Sequence, residues 1–202
     1  MKRLFLLAVL ALALPAAVFA SSNIDYTNSG GMLMGSNSGL SVTGSTLIAV
    51  DGLNRLITGP HLGTVSFSTG ALISGSIQKG GEFAAGGTFT ITGNGTDGVP
   101  NGTLFSGTFS SPVMWTMVTL ANGTHNYTMT GTLTGTAGYG SGYSTVATTV
   151  QLTINTGKGY FNGCTRIASG DTNVVVPEPG TLGLLGTGLI GLAGIIRRKI
   201  HA

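Results

Sequence analysis

Between Ser21 and Val176, few side chains can do acid–base or metal chemistry. They are five carboxylates (Asp25, Asp51, Glu82, Asp97, Asp171), two histidines (His61, His125) and one cysteine, Cys164. Two carboxylates held about 5–10 Å apart in a cleft would make a glycosidase pair, one acting as acid and the other as base or nucleophile. Their scatter along the chain leaves that meeting open. His61 follows Pro60 in "TGPHLG" and His125 follows an Asn-Gly turn, so both read as solvated loop residues. No H-x-x-x-H spacing marks a metal site and no G-x-S-x-G elbow marks a serine nucleophile. Cys164, in "FNGCTR", is the only cysteine. It has no intrachain disulfide partner and is expected as a partly buried free thiol.

One stretch fits a phosphate-cradling pattern by letter alone. Gly93-Asn94-Gly95-Thr96-Asp97-Gly98 matches G-x-G-x-x-G, but a dinucleotide site needs a helix to follow. Here Val99-Pro100-Asn101-Gly102 follows, which is a further turn, so the stretch reads as a hairpin loop. A single copy is also too little for a stacked calcium-binding repeat around Asp97. The expectation is therefore no catalytic residue, no cofactor and no metal site.

The formal charge of +3 comes from the two ends. Lys2 and Arg3 stand at one end, and Arg197, Arg198 and Lys199 at the other. Between Ser21 and Val176 only Arg55, Lys79, Lys158 and Arg166 oppose the five acids. With no cluster of basic residues, nucleic acid is excluded as a partner. Charged residues are 7% of the chain against about 25% in an average protein, yet apolar residues are plentiful, which argues against disorder. The body is long enough for one domain with its own core.

The elements that must position these residues are strands. Phe89 and Ile91 alternate with threonines in 88–92; Tyr127, Met129 and Leu133 do so in 126–134. Val146, Val150, Leu152 and Ile154 share a face in 146–155. A period of two means half-buried antiparallel strands. Segments 40–50, 64–68 and 72–78 are further candidates. Segment 113–120 (VMWTMVTL), apolar on both faces, reads as a central strand with Trp115 as core anchor. Asn-Gly pairs at 94, 101, 122 and 162 supply positive φ for tight turns. Asn94, Asn101, Asn122 and Asn126 also begin N-x-[ST] triplets, which turns explain without sugar. The predicted fold is all-β: an antiparallel β-sandwich or open barrel over residues 40–173, preceded by a loosely held segment over 21–39 and followed by one C-terminal transmembrane helix.

Both ends read as addresses. Met1–Arg3 is basic, 4–14 is an unbroken apolar run, and Val18-Phe19-Ala20 offers small residues before Ser21. This predicts a signal peptide over residues 1–20, cut by signal peptidase between Ala20 and Ser21. Residues 174–202 form the other signal. Pro177 and Pro179 hold Glu178 in extended, accessible chain. The uncharged run 181–196 would be a helix about 24 Å long, short of the roughly 30 Å hydrocarbon core. Its five glycines weaken it further. Arg197, Arg198 and Lys199 then stop transfer and stay on the cytoplasmic side.

Val176-Pro177-Glu178-Pro179, the Gly-rich apolar run and Arg197-Arg198-Lys199 together resemble the PEP-CTERM sorting family of bacterial exported proteins. The resemblance implies recognition of Pro177, Glu178 and Pro179 by exosortase, a membrane-embedded transpeptidase-like cysteine protease. It also implies removal of the tail, with delivery to the cell surface or extracellular matrix and the membrane as a transient partner. The expected body is non-enzymatic, its Thr/Ser/Gly surface suited to polysaccharide or to copies of itself. The rivals are a carbohydrate-active hydrolase or binding module, and a protein that keeps its membrane anchor.

Overall fold

A threonine on one side and an apolar residue on the other is a side-chain order that suits a pleated strand, and the chain repeats it throughout. The computed structural model describes residues 21–52, 55–139 and 142–177. They form strands β1 (Ser21–Ser29), β2 (Met32–Ser36), β3 (Gly39–Asp51), β4 (Ile57–Ser68), β5 (Leu72–Ser76), β6 (Gly80–Phe83) and β7 (Gly86–Asn94). The series continues with β8 (Asn101–Phe109), β9 (Val113–Thr119), β10 (His125–Tyr139), β11 (Gly142–Asn155), β12 (Cys164–Arg166) and β13 (Ser169–Pro177). The described residues contain no helix; the fold is all-β.

Strand neighbours run β11-β13-β1-β3-β4-β7-β8-β10, and β10 pairs in turn with β11, so this path returns to its start. β10 makes the closure. Its residues 126–139 pair with β11 along one edge, while on the other edge 125–130 pair with β9 and 133–137 with β8. From β9 the sheet continues outward through β6 to β5, and β2 carries β12 beside β3.

The inward face is apolar. Phe67 stacks on Phe89 at 5.6 Å between ring centres, and Phe105 and Phe109 meet Phe89 edge-on. A second cluster stacks Trp115 on Tyr127 at 5.1 Å with Phe161 against both. Its polar atoms are all partnered: Trp115 Nε1 donates to the Ile77 carbonyl (2.9 Å) and Tyr127 Oη to the Gln78 carbonyl (2.6 Å). Tyr127 Oη also accepts the Phe161 amide at 3.0 Å. These bonds let aromatic residues with polar tips sit inside without an orphaned group. Outward-facing hydroxyls pair across strands, as Thr64 with Thr92 (2.7 Å) and Ser68 with Thr88 (3.2 Å).

Several expectations are revised. Residues 21–39, expected as a loosely held entry with at most one short strand, carry both β1 and β2; Ile24 and Tyr26 are buried from a strand lying between β13 and β3. The alternation Ile24-Asp25-Tyr26 was the signal for it. Segment 113–120 is not buried on both faces: Val113 and Trp115 point in, whereas Met114 and Val118 are exposed. All four Asn-Gly glycines do have positive φ (Gly95 81°, Gly102 105°, Gly123 78°, Gly163 100°), yet Gly102 lies within β8 rather than in a turn. Asn94 Oδ1 accepts the amide and hydroxyl of Thr96, and Asn122 Oδ1 those of Thr124. Two of the N-x-[ST] triplets are thus self-capped turns.

Strand glycines make room for rings. A Cβ on Gly131 would lie 2.8 Å from the buried Phe109 ring and 3.4 Å from Val113 Cγ2. Gly131→Ala is therefore expected to destabilise the protein by about 1–3 kcal/mol through overpacking. Gly159→Ala, where nothing but the Thr156 carbonyl comes within 4.0 Å, should leave the denaturation midpoint unchanged. Equal midpoints for both variants would contradict this packing.

Candidate functional site

Register brings scattered acids together. Asp25 on β1 faces Asp51 on β3, and Asp171 on β13 faces Gln151 on β11, which faces Thr130 on β10. β13 and β1 are neighbours, so Asp171 and Asp25 stand on adjoining strands. Alongside them runs a second row, Thr132, Thr149 and Asn173. Asp25, Asp171, Gln151 and Thr130, with the second row, line an open groove of about 470 Å³, with Met114 on its wall; Asp51 stands outside it.

The Asp25 carboxyl is held above the ordinary carboxylate range. Partial burial is the largest cause, followed by repulsion from Asp171 and then from Asp51; a hydrogen bond from the Tyr26 amide opposes the rise. A half-buried acid beside charged carboxylates in a groove lined by hydroxyl and amide groups has two chemical capacities. It can donate a proton, and its neighbours can hydrogen-bond a polyhydroxylated ligand.

The other candidates stand apart from it. Glu82 lies on β6 near Ser74 (Oγ to Oε2, 3.5 Å). Asp97 is at the β7–β8 loop with φ of 56°, its carbonyl accepting from Arg55 Nη2 at 2.9 Å. The G-x-G-x-x-G stretch joins two antiparallel strands, with no helix to receive a phosphate. Neither histidine is a loop residue. His61 is on β4, exposed, with its carbonyl accepting from Asn94 Nδ2. His125 opens β10, buried, bonded through Nδ1 to Thr119 Oγ1 (3.0 Å) and stacked on Tyr160 at 4.6 Å. Cys164, expected as partly buried, is exposed on β12. Among the described residues no three His, Cys, Asp or Glu side chains gather to hold a metal.

At the ends, Ser21 opens β1 and Pro177 closes β13. Ala20, Glu178, Pro179, the run 181–196 and Arg197, Arg198 and Lys199 lie outside the described residues. Among the described residues no helix is long and apolar enough to cross a membrane. β13 remains in the sheet up to the edge of this tail, with Val175 paired to Ala147. Residues 175–199 match the family model of the PEP-CTERM protein-sorting motif.

The chain carries a PEP-CTERM sorting motif. The PEP-CTERM motif implies export, a C-terminal signal held in the membrane before processing, and an exosortase as processing partner. Its first residues, Val175 to Pro177, are also the last of β13. No curated protein and no solved structure matches the chain.

The carboxylate cluster gives a signed pH dependence. A carboxyl whose folded pKa is raised adds stability below its unfolded pKa and loses it as pH rises through the folded value. Asp25→Asn should therefore raise the melting temperature at pH 7, and the gain should vanish below about pH 3.8. A gain that persists unchanged into acid would show that charge is not its source.

Proposed function

We propose that this chain is an exported, non-enzymatic protein of the cell surface or extracellular matrix, placed there by exosortase processing of its tail. The PEP-CTERM match over residues 175–199 carries this reading. The signal-peptide pattern over 1–20 supports it, since sorting requires prior export. The body is built to serve as an inert, hydrated module. The closed circuit of paired strands favours the barrel form of the fold over two stacked sheets, and closure removes most of the edges on which strands aggregate. Most of its large apolar residues face inward and most of its threonines outward, the reverse of a strand barrel made for lipid. The groove, lined by hydroxyl and amide groups, two carboxylates and the apolar Pro112, Met114 and Val150, fits a polysaccharide of the matrix.

Within the tail, Pro177, Glu178 and Pro179 act as recognition residues, and Arg197, Arg198 and Lys199 hold the far end during transfer. Glu178→Ala in the native host should leave full-length protein in the membrane fraction. Normal release of that variant would contradict recognition at this triplet.

One observation favours a second reading. Asp25, whose carboxyl is held above its ordinary range by burial and by Asp171, lines the groove together with Asp171, as an acid and a base would in a carbohydrate-active hydrolase. The groove is open to water, which speaks for binding over turnover. Incubation of the protein with matrix polysaccharide separates the two. New reducing ends that disappear in Asp171→Asn would establish hydrolysis, whereas retention of the polymer without cleavage is the expected result.

A further inference from the structure

Sulfur is unevenly placed on this protein. β2 carries Met-Leu-Met, with Leu33 buried and Met32 and Met34 exposed at 42% and 54%. Opposite them β12 places Cys164 directly against Met34 and Arg166 against Met32. Both thioethers are thus open to solvent on the face they share with Cys164.

The hydrogen-bond phase makes the contact close. The Gly35 amide donates to the Gly163 carbonyl (2.9 Å) and the Ile167 amide to the Gly31 carbonyl (3.3 Å). These two pairs bracket β12 and are hydrogen-bonded pairs, so Met34–Cys164, one residue along, is a non-hydrogen-bonded pair. In such pairs the Cα atoms are about 4.5 Å apart and the side chains lie closest. Met32, two residues from Met34 on the same face, is roughly 7 Å away along the strand. Each methionine has three rotatable bonds, enough for both thioethers to reach a point above Cys164 Sγ. The Arg166 head group lies over Gly30, 3.5 Å from where a Cβ there would stand, at the end of β2 away from Cys164.

We propose that Met32, Met34 and Cys164 form a surface site for a soft monovalent metal ion, Cu(I). One thiolate and two thioethers are the donors that select Cu(I) over harder divalent ions, and no carboxylate or imidazole belongs to the set. On binding, the Cys164 thiol releases its proton to solvent as the metal–sulfur bond forms; no electron is transferred. An exported protein meets metal outside the cytoplasm, and this site would hold it at the surface of the domain.

The test titrates the reduced full chain, in detergent micelles, with Ag(I) as a redox-inert probe and with Cu(I) against a chromogenic chelator. One ion per chain is expected, with affinity falling about tenfold or more in both Cys164→Ser and the Met32→Leu/Met34→Leu double variant. Undiminished binding by the double variant, or half an ion per chain through a thiolate shared by two copies, would overturn the proposal. So would equal affinity for Zn(II). X-ray absorption of the loaded wild-type protein needs no variant: an all-sulfur shell of three atoms supports the site, and oxygen or nitrogen in that shell contradicts it.

Discussion

Strand β10 holds the body together because it pairs along both edges. On one side it zips to β11 for fourteen residue pairs; on the other it hands its first half to β9 and its second half to β8. The β8 contact completes the circuit through β7, β4, β3, β1 and β13, and the β9 contact carries the outer strands β6 and β5. Antiparallel pairing over such a length fixes register, and register fixes which face each residue takes. The apolar interior, the threonine exterior and the groove of Asp25 and Asp171 all follow from it. Both aromatic clusters touch this strand or its neighbours: Tyr127 is β10's own contribution, and Phe105 and Phe109 come from β8.

Glycine has a particular part in that arrangement. A strand interior ordinarily disfavours it. Here Gly131 and Gly135 on β10 clear space for Phe109 and Phe105, so large rings can lie flat against backbone. The chain trades strand propensity for aromatic burial, and few charged residues are needed to keep it folded.

Much of this was legible before any coordinates. Alternation placed Phe89, Ile91, Tyr127, Met129, Val150, Leu152 and Ile154 in the core, and all are buried. Trp115 was identified as an anchor by size and setting. Pairing partners were not legible, because period-two patterns specify a face and say nothing of the neighbour. The same gap hid the site: Asp25 and Asp171 lie at opposite ends of the sequence and meet only because β1 and β13 adjoin. Asp25 was further masked by the glycine-rich stretch that follows it, which reads as loose chain although Ile24 and Tyr26 already alternate. His125 was misplaced for the reverse reason: an adjacent turn signal outweighed a strand that begins at that residue.

β13 carries the first residues of the sorting motif. Val175, where the matched motif starts, pairs with Ala147 of β11. Intact mass of the mature protein from its native host tests the central claim most directly. A mass that begins at Ser21 and ends near Glu178 is the predicted result. A mass that still includes Arg197 to Ala202 would contradict it.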